Sequence, residues 1–215
     1  MRKVLIPAAA LLAVALVLST RAIADEGAHK HKGDKAAKAT IGKMAPDFSL
    51  QDQNGKTVKL SDHKGKVVVL EMFNQGCPYV VRHYKTKTMT DTADKYKDQD
   101  VVWLAINPTS GKTAEDNKTS AEAWGINYPI LSDTSTIVAQ QYGAKTTPQM
   151  YIIDKEGKLV YNGAIDNDSS ADGAKGDKAT NYVAKALDEV LAGKPVSQAE
   201  TKPYGCGVKY KKSDS

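Results

Sequence analysis

The stretch Val69-Leu-Glu-Met-Phe-Asn-Gln-Gly-Cys77-Pro-Tyr-Val80 sets a cysteine between an apolar run and a proline. Val67 to Phe73 (VVVLEMF) is almost continuously apolar, which predicts a strand buried on both faces. A helix is expected from Cys77-Pro78 to about Lys97, with Val81, Tyr84, Met89, Ala93 and Tyr96 along one side. Pro78 suits the first helical position, where its missing N–H costs nothing. Unpaired backbone N–H groups and the positive end of the helix dipole favour an anion there. A thiolate is such an anion, so the pKa of Cys77 should fall and its nucleophilic fraction rise. The alternative is an inert buried cysteine, against which the polar approach Asn74-Gln75-Gly76 argues.

The flanking segments continue this pattern. Phe48 to Leu50 and Val58 to Leu60 alternate around Gln53-Asn54-Gly55, a hairpin signal. Val101 to Ile106 (VVWLAI) reads as a second buried strand, Glu115 to Trp124 as a helix, and Pro129 to Leu131 as a short extended piece. Thr136 to Tyr142 reads as another short helix. Gln149 to Asp154 and Lys158 to Tyr161 form a second hairpin about Lys155-Glu156-Gly157. Tyr182, Val183, Ala186, Leu187, Val190 and Leu191 share one helical face, which Gly193 and Pro195 end. The alternation of strands and helices predicts an α/β fold: a central mixed sheet, helices on both faces and an N-terminal β-hairpin.

The chain has 215 residues, 41% hydrophobic and 26% charged, with two cysteines. Those proportions exclude wholesale disorder and a disulfide-dense mini-scaffold. Arg2 and Lys3, the uncharged run Val4 to Leu18, and Ala22-Ile23-Ala24 have the layout of a cleavable export signal over residues 1–24. The run is shorter than the roughly 20 residues that span a bilayer, although a retained N-terminal anchor is the alternative reading. Cleavage would remove Arg2, Lys3 and Arg21 and no acid, lowering the formal charge from +5 to +2. An exported protein without stable membrane insertion is expected, periplasmic in a bacterium. Residues 25–40 are Lys-, Ala- and Gly-rich and read as a disordered leader, in which His29 and His31 are expected to be solvated rather than metal-bound. The folded domain is expected over 41–195 and a polar tail carrying Cys206 over 196–215.

The register of VLEMFNQGCPYV resembles the strand-turn-helix entry of the thioredoxin-like superfamily. It is most similar to exported redoxins related to the alkyl hydroperoxide reductase and thiol-specific antioxidant proteins. Cys77 matches the attacking cysteine of the C-x-x-C motif, whereas Val80 stands at the second cysteine position. Thr146-Thr147-Pro148 matches the element in which a cis-proline faces that cysteine and offers backbone to the substrate, so Thr147 and Pro148 are implied as the docking element. Gly76-Cys-Pro-Tyr-Val80, with Arg82-His83-Tyr84, and the closing Gly205-Cys206-Gly-Val-Lys-Tyr210 resemble one sub-family that pairs such a site with such a tail. The resemblance spans roughly residues 41 to 210.

Without a thiol at Val80, a mixed disulfide needs another resolving group, and Cys206 is the one other cysteine in the chain. A redox pair, a static structural bridge and no bridge remain open for Cys77 and Cys206. The peroxiredoxin pattern sets a threonine three residues before the cysteine. Asn74 occupies that place and lacks the hydroxyl's dual donor and acceptor role. Arg82 could supply positive charge or be a solvated helix residue. His83 could be a base or a packing residue.

Two other local patterns fail on their spacing. Gly111-Lys112-Thr113 lacks the upstream glycine of a phosphate loop, since Ile106 stands there. Asp166 to Asp177 alternates oxygen ligands, but Ala179 holds the chelating twelfth position, so a solvated Gly-rich loop is expected. No metal site, no cofactor and no nucleic-acid footprint is expected. The implied activity is thiol-disulfide exchange on a protein or small-molecule disulfide, with an external electron donor. A peroxidase, or a non-catalytic module with a Cys77–Cys206 bridge, is the alternative.

Overall fold

The computed structural model describes residues 38–210; the expected export signal, most of the leader with His29 and His31, and residues 211–215 lie outside them. A seven-stranded mixed sheet organises the described residues. Its strands are β1 (Ser49–Gln51), β2 (Thr57–Lys59), β3 (Val67–Met72), β4 (Val101–Asn107), β5 (Ile130–Ser132), β7 (Met150–Ile153) and β8 (Leu159–Gly163). They lie in the order β2-β1-β5-β4-β3-β7-β8. β4 runs parallel to β3 and β5, whereas β7 is antiparallel to both β3 and β8. A separate two-stranded ladder joins β6 (Thr146–Thr147) to β9 (Cys206–Gly207).

Every residue of β3 is buried, as its apolar run requires. Its side chains alternate between two cores. Val67 and Val69 enter one core with Trp103, Tyr84, Met89, Tyr96, Val183 and Leu187. Val68, Leu70 and Met72 enter the other with Phe48, Leu104, Val138, Tyr142 and Tyr151. The first core is covered by α1 (Pro78–Lys85), α2 (Thr88–Tyr96) and α5 (Tyr182–Leu191), with Ala121 and Trp124 of α3 (Ala114–Trp124). The second lies beneath α4 (Ile137–Gln141) and the β1–β2 hairpin.

The turn chemistry explains the ends of these elements. Asp52 Oδ1 accepts the Asn54 and Lys56 N–H groups and closes the first hairpin. Thr113 caps α3 in a reciprocal box with Asp116, which accounts for the Gly-Lys-Thr triplet without a phosphate.

Three expectations need correction. The helix expected over 77–97 is broken into α1 and α2: Thr86 Oγ1 donates to the Arg82 and His83 carbonyls, and Lys87 turns left-handed at φ 59°. Val81 is half-buried, while Arg82 and His83 point inward. The 166–177 loop is not simply solvated, because Asp166 and Asp168 are buried and Asp168 accepts the Ser170 and Lys175 N–H groups.

Candidate functional site: two thiols beneath a docked tail

Cys77 sits where β3 hands over to α1. Its N–H donates to Asn74 O, its own carbonyl accepts from Val81, and Pro78 opens the helix. Asn74 Oδ1 accepts the Gly76 N–H. Asn74 and Pro78 therefore shape the turn that presents the sulfur. Opposite them lies Thr147-Pro148, joined by a cis peptide bond. Gln149 fixes this element by accepting the Lys145 and Thr146 N–H groups at its Oε1 and donating from Nε2 to Asn162.

Cys206 completes the arrangement. The β6–β9 ladder pairs Thr147 with Cys206, which brings the two sulfurs to 2.7 Å with both cysteines free. The Cys77 thiol also lies 2.9 Å from Thr147 O. Four residues selected from sequence (Cys77, Thr147, Pro148 and Cys206) thus meet at one point. The tail is no loose appendage: it is part of the fold.

The two thiols are electrostatically unequal. Burial pushes the pKa of Cys77 upward, but the Cys206 thiol, the Val80 and Cys206 N–H groups and the Thr147 hydroxyl favour the anion and bring it below the ordinary thiol value. That hydroxyl is buried and has no hydrogen-bond partner, so it is free to turn toward the sulfur. Cys206 is pushed the other way by burial and by its neighbour Cys77. Of the two sulfurs, Cys77 is the one whose anion the site favours, and Cys206 the one that holds its proton more tightly.

Arg82 and His83 lie one turn into α1 and are buried, at 8% and 1% exposure. Arg82 Nη1 reaches Asp168 Oδ2 at 3.4 Å and donates to Ser170 O at 2.6 Å, so its charge is paired rather than solvated. Burial first, then the Arg82 charge, lower the pKa of His83 to about 3. His83 is therefore uncharged and a poor base near neutrality. Arg82 Nη2 and His83 Nε2 instead hold the Tyr204 hydroxyl at 3.1 and 3.0 Å, and that hydroxyl donates to Asp166 Oδ1. Arg82 and His83 position the tail two residues before its cysteine.

Tyr204, Thr201 and Glu71 had no role assigned from the sequence, and Asp166 entered only as part of a calcium-like loop. Glu71 is fully buried in β3, accepting Trp103 Nε1 at 3.1 Å and the Tyr84 hydroxyl at 2.9–3.0 Å; burial raises its pKa to about 7. One acid inside VVVLEMF was the signal for it. Tyr204 and Thr201 carried none, because their partners are remote in sequence. Among the described residues no group of three or more His, Cys, Asp or Glu is arranged to hold a metal ion. No helix among them is long and apolar enough to cross a membrane.

The chain is also similar to known proteins. The chain is 34% identical over 126 residues to the thiol-disulfide oxidoreductase ResA of Bacillus subtilis, covering 55% of this chain and 64% of that protein. It is 32% identical over 140 residues to the chloroplastic peroxiredoxin Q of Triticum aestivum, covering 60% and 61%. The chain thus spans less than two thirds of the length of either relative. The crystal structure of a hypothetical protein from Sinorhizobium meliloti 1021 superposes with a TM-score of 0.70 at 28% identity, covering 82% of this chain and 97% of that one. Residues 41–162 match the AhpC/TSA family model. With its thioredoxin-like sheet and a lone cysteine at the head of α1, the chain belongs to the AhpC/TSA family.

Proposed function

We propose that the protein is an exported thiol-disulfide oxidoreductase in which Cys77 attacks and Cys206 resolves. The observation that carries this reading is the pair of free sulfurs at 2.7 Å, one thiol favoured as the anion and the other as its proton carrier. The Cys77 thiolate attacks one sulfur of a substrate disulfide; a Cys77–substrate bond forms and the other substrate sulfur leaves as a thiolate. Cys206 then loses its proton and attacks Cys77 Sγ, forming the Cys77–Cys206 disulfide and releasing the second thiolate. The substrate gains two electrons and two protons, and the protein dithiol loses them. An external dithiol donor restores the reduced protein. Thr147 and Pro148 dock the substrate, and the N-terminal signal-like segment supports export.

The test uses the reduced chain and oxidised glutathione, followed by mass. Wild type is expected to form its internal disulfide and release two glutathiones. Cys206→Ser should stop at the Cys77–glutathione mixed disulfide, and Cys77→Ser should not exchange. Equal exchange by Cys77→Ser and wild type would refute the assignment, as would none by either. A peroxidase reading draws on the family match and on the peroxiredoxin Q relative. Consumption of hydrogen peroxide without exchange of glutathione would select it. A Cys77–Cys206 disulfide that dithiothreitol does not open in the folded chain would leave a structural bridge in a non-catalytic module.

A further inference from the structure

Cys77 is 1% exposed, and the tail seals it. Residues 199–208 follow the sheet edge and then the site. Asn162 N–H donates to Ala199 O, and Thr201 N–H donates to Asn162 O. Thr201 Oγ1 accepts the Ala164 N–H at 2.8 Å and meets the Tyr161 hydroxyl at 2.7 Å. Beyond Cys206, Val208 N–H donates to Lys145 O. Two glycines make room for this course. A Cβ on Gly163 would overlap Thr201, and one on Gly205 would overlap the Thr147 carbonyl. Gly205 also holds φ +133°, a conformation that L side chains rarely adopt. Gly207, just after the cysteine, has nothing within 4 Å of such a Cβ.

We propose that the segment Tyr204-Gly205-Cys206 is a resident pseudo-substrate, and that its cradle selects partner polypeptides in which a phenol and a glycine precede the reactive cysteine. The inference rests on the exchange reading above and adds what that site discriminates. Three positions are read differently. The phenol two residues before the cysteine meets Arg82, His83 and Asp166, and its ring lies 5.9 Å from that of Tyr79. The position before the cysteine lies so close to Thr147 O that a side chain is excluded, and the one after it is open. β6 is two residues long, and β9 is the strand paired with it. An incoming segment must therefore displace the tail and inherit its backbone partners. A second copy's tail offers the same contacts, but the resident tail holds the advantage of effective concentration. A partner disulfide gains an advantage by reacting covalently with Cys77.

The experiment uses full-length Cys206→Ser and Gly205→Ala/Cys206→Ser chains, and cysteine peptides supplied as mixed disulfides with thionitrobenzoate. The Cys77 thiolate attacks the peptide sulfur, a Cys77–peptide disulfide forms, and thionitrobenzoate leaves with the electron pair as a yellow anion. Tyr-Gly-Cys-Gly and Tyr-Gly-Cys-Ala should react at the same rate. Ala in place of the first Gly, or Phe in place of Tyr, should each slow the reaction by about tenfold, through overlap and through lost hydrogen bonds respectively. The double variant, whose tail cannot seat, should react at least about tenfold faster than the single one.

Equal rates for Tyr-Gly-Cys-Gly and Tyr-Ala-Cys-Gly overturn the proposal, as do equal rates for the two chains. The peptide series on Cys206→Ser alone decides the matter if the double variant does not fold, as judged by circular dichroism. The symmetrical thionitrobenzoate disulfide separates the two levels. Fast reaction with it but indiscriminate peptides removes the selection and leaves the exchange reading. A Cys77 inert to it in the folded double variant removes the nucleophile itself.

Discussion

Glu71 makes stability depend on pH in a way that substitution exposes. Burial raises its carboxyl from 4.5 to about 7. A carboxyl whose folded pKa is raised contributes stability that is full below its unfolded pKa and is lost as pH rises through the folded one. The loss is one proton's worth, about 1.4 kcal/mol per pH unit, or about 3 kcal/mol in all between pH 4.5 and 7. His83 runs the other way. Its pKa falls from 6.5 to about 3, so its contribution is present above pH 6.5 and is lost on acidification toward 3. Between about pH 4.5 and 6.5 the two slopes oppose each other and nearly cancel in the wild-type chain. Glu71→Gln removes the falling slope, so relative to wild type it should gain about 3 kcal/mol as pH rises from 4.5 to 7. That corresponds to roughly 6–12 °C in Tm for a domain of this size. Urea unfolding at successive pH values, followed by circular dichroism, gives both curves. Groups shared by the two chains, such as the raised Asp133, drop out of the difference. Parallel curves would show that Glu71 titrates alike in the folded and unfolded chain, and the argument from its burial would fail.

Other consequences follow from the same contacts. Closing Cys77 to Cys206 spans 129 residues, so oxidised wild type should exceed the reduced form by about 5 kcal/mol in the chain-entropy model. Dithiothreitol should lower the wild-type Tm and leave Cys206→Ser unmoved; a wild-type Tm indifferent to reduction refutes the pairing. Thr147→Val removes a hydroxyl that favours the Cys77 anion, so alkylation of the Gly205→Ala/Cys206→Ser chain should shift to higher pH by roughly half to one unit. An unshifted profile removes Thr147 from that role. Arg82→Met leaves Asp168 buried beside a lost partner and should destabilise the chain by about 3–5 kcal/mol in urea unfolding. A cost below about 1 kcal/mol would mark the pair as behaving like an exposed one.

Most of the elements, and Cys77 as the candidate nucleophile, were legible in the sequence alone. Apolar runs such as Val67–Phe73 and helical spacing such as Tyr182–Leu191 are local patterns, and a cysteine before Pro78 at a strand-to-helix junction is a local chemical statement. The resemblance carried by Thr147-Pro148 and the GCPYV site pointed to the right fold. Local pattern also misled where a competing local bond won, as at Thr86, where side-chain hydrogen bonds to the preceding turn accompany the break between α1 and α2.

What surrounds the sulfur depends on contacts between remote parts of the chain. Cys77 meets Thr147 and Cys206 across 70 and 129 residues. Arg82 and His83 hold Tyr204 across 122 and 121. Glu71 owes its raised pKa to burial in the core, among Tyr84 and Trp103. Such contacts depend on which faces the sheet brings together and on how much water is excluded there. Neither is encoded in a residue's neighbours along the chain, so a tail that is polar in sequence is nonetheless ordered by the pairing of its backbone with β6.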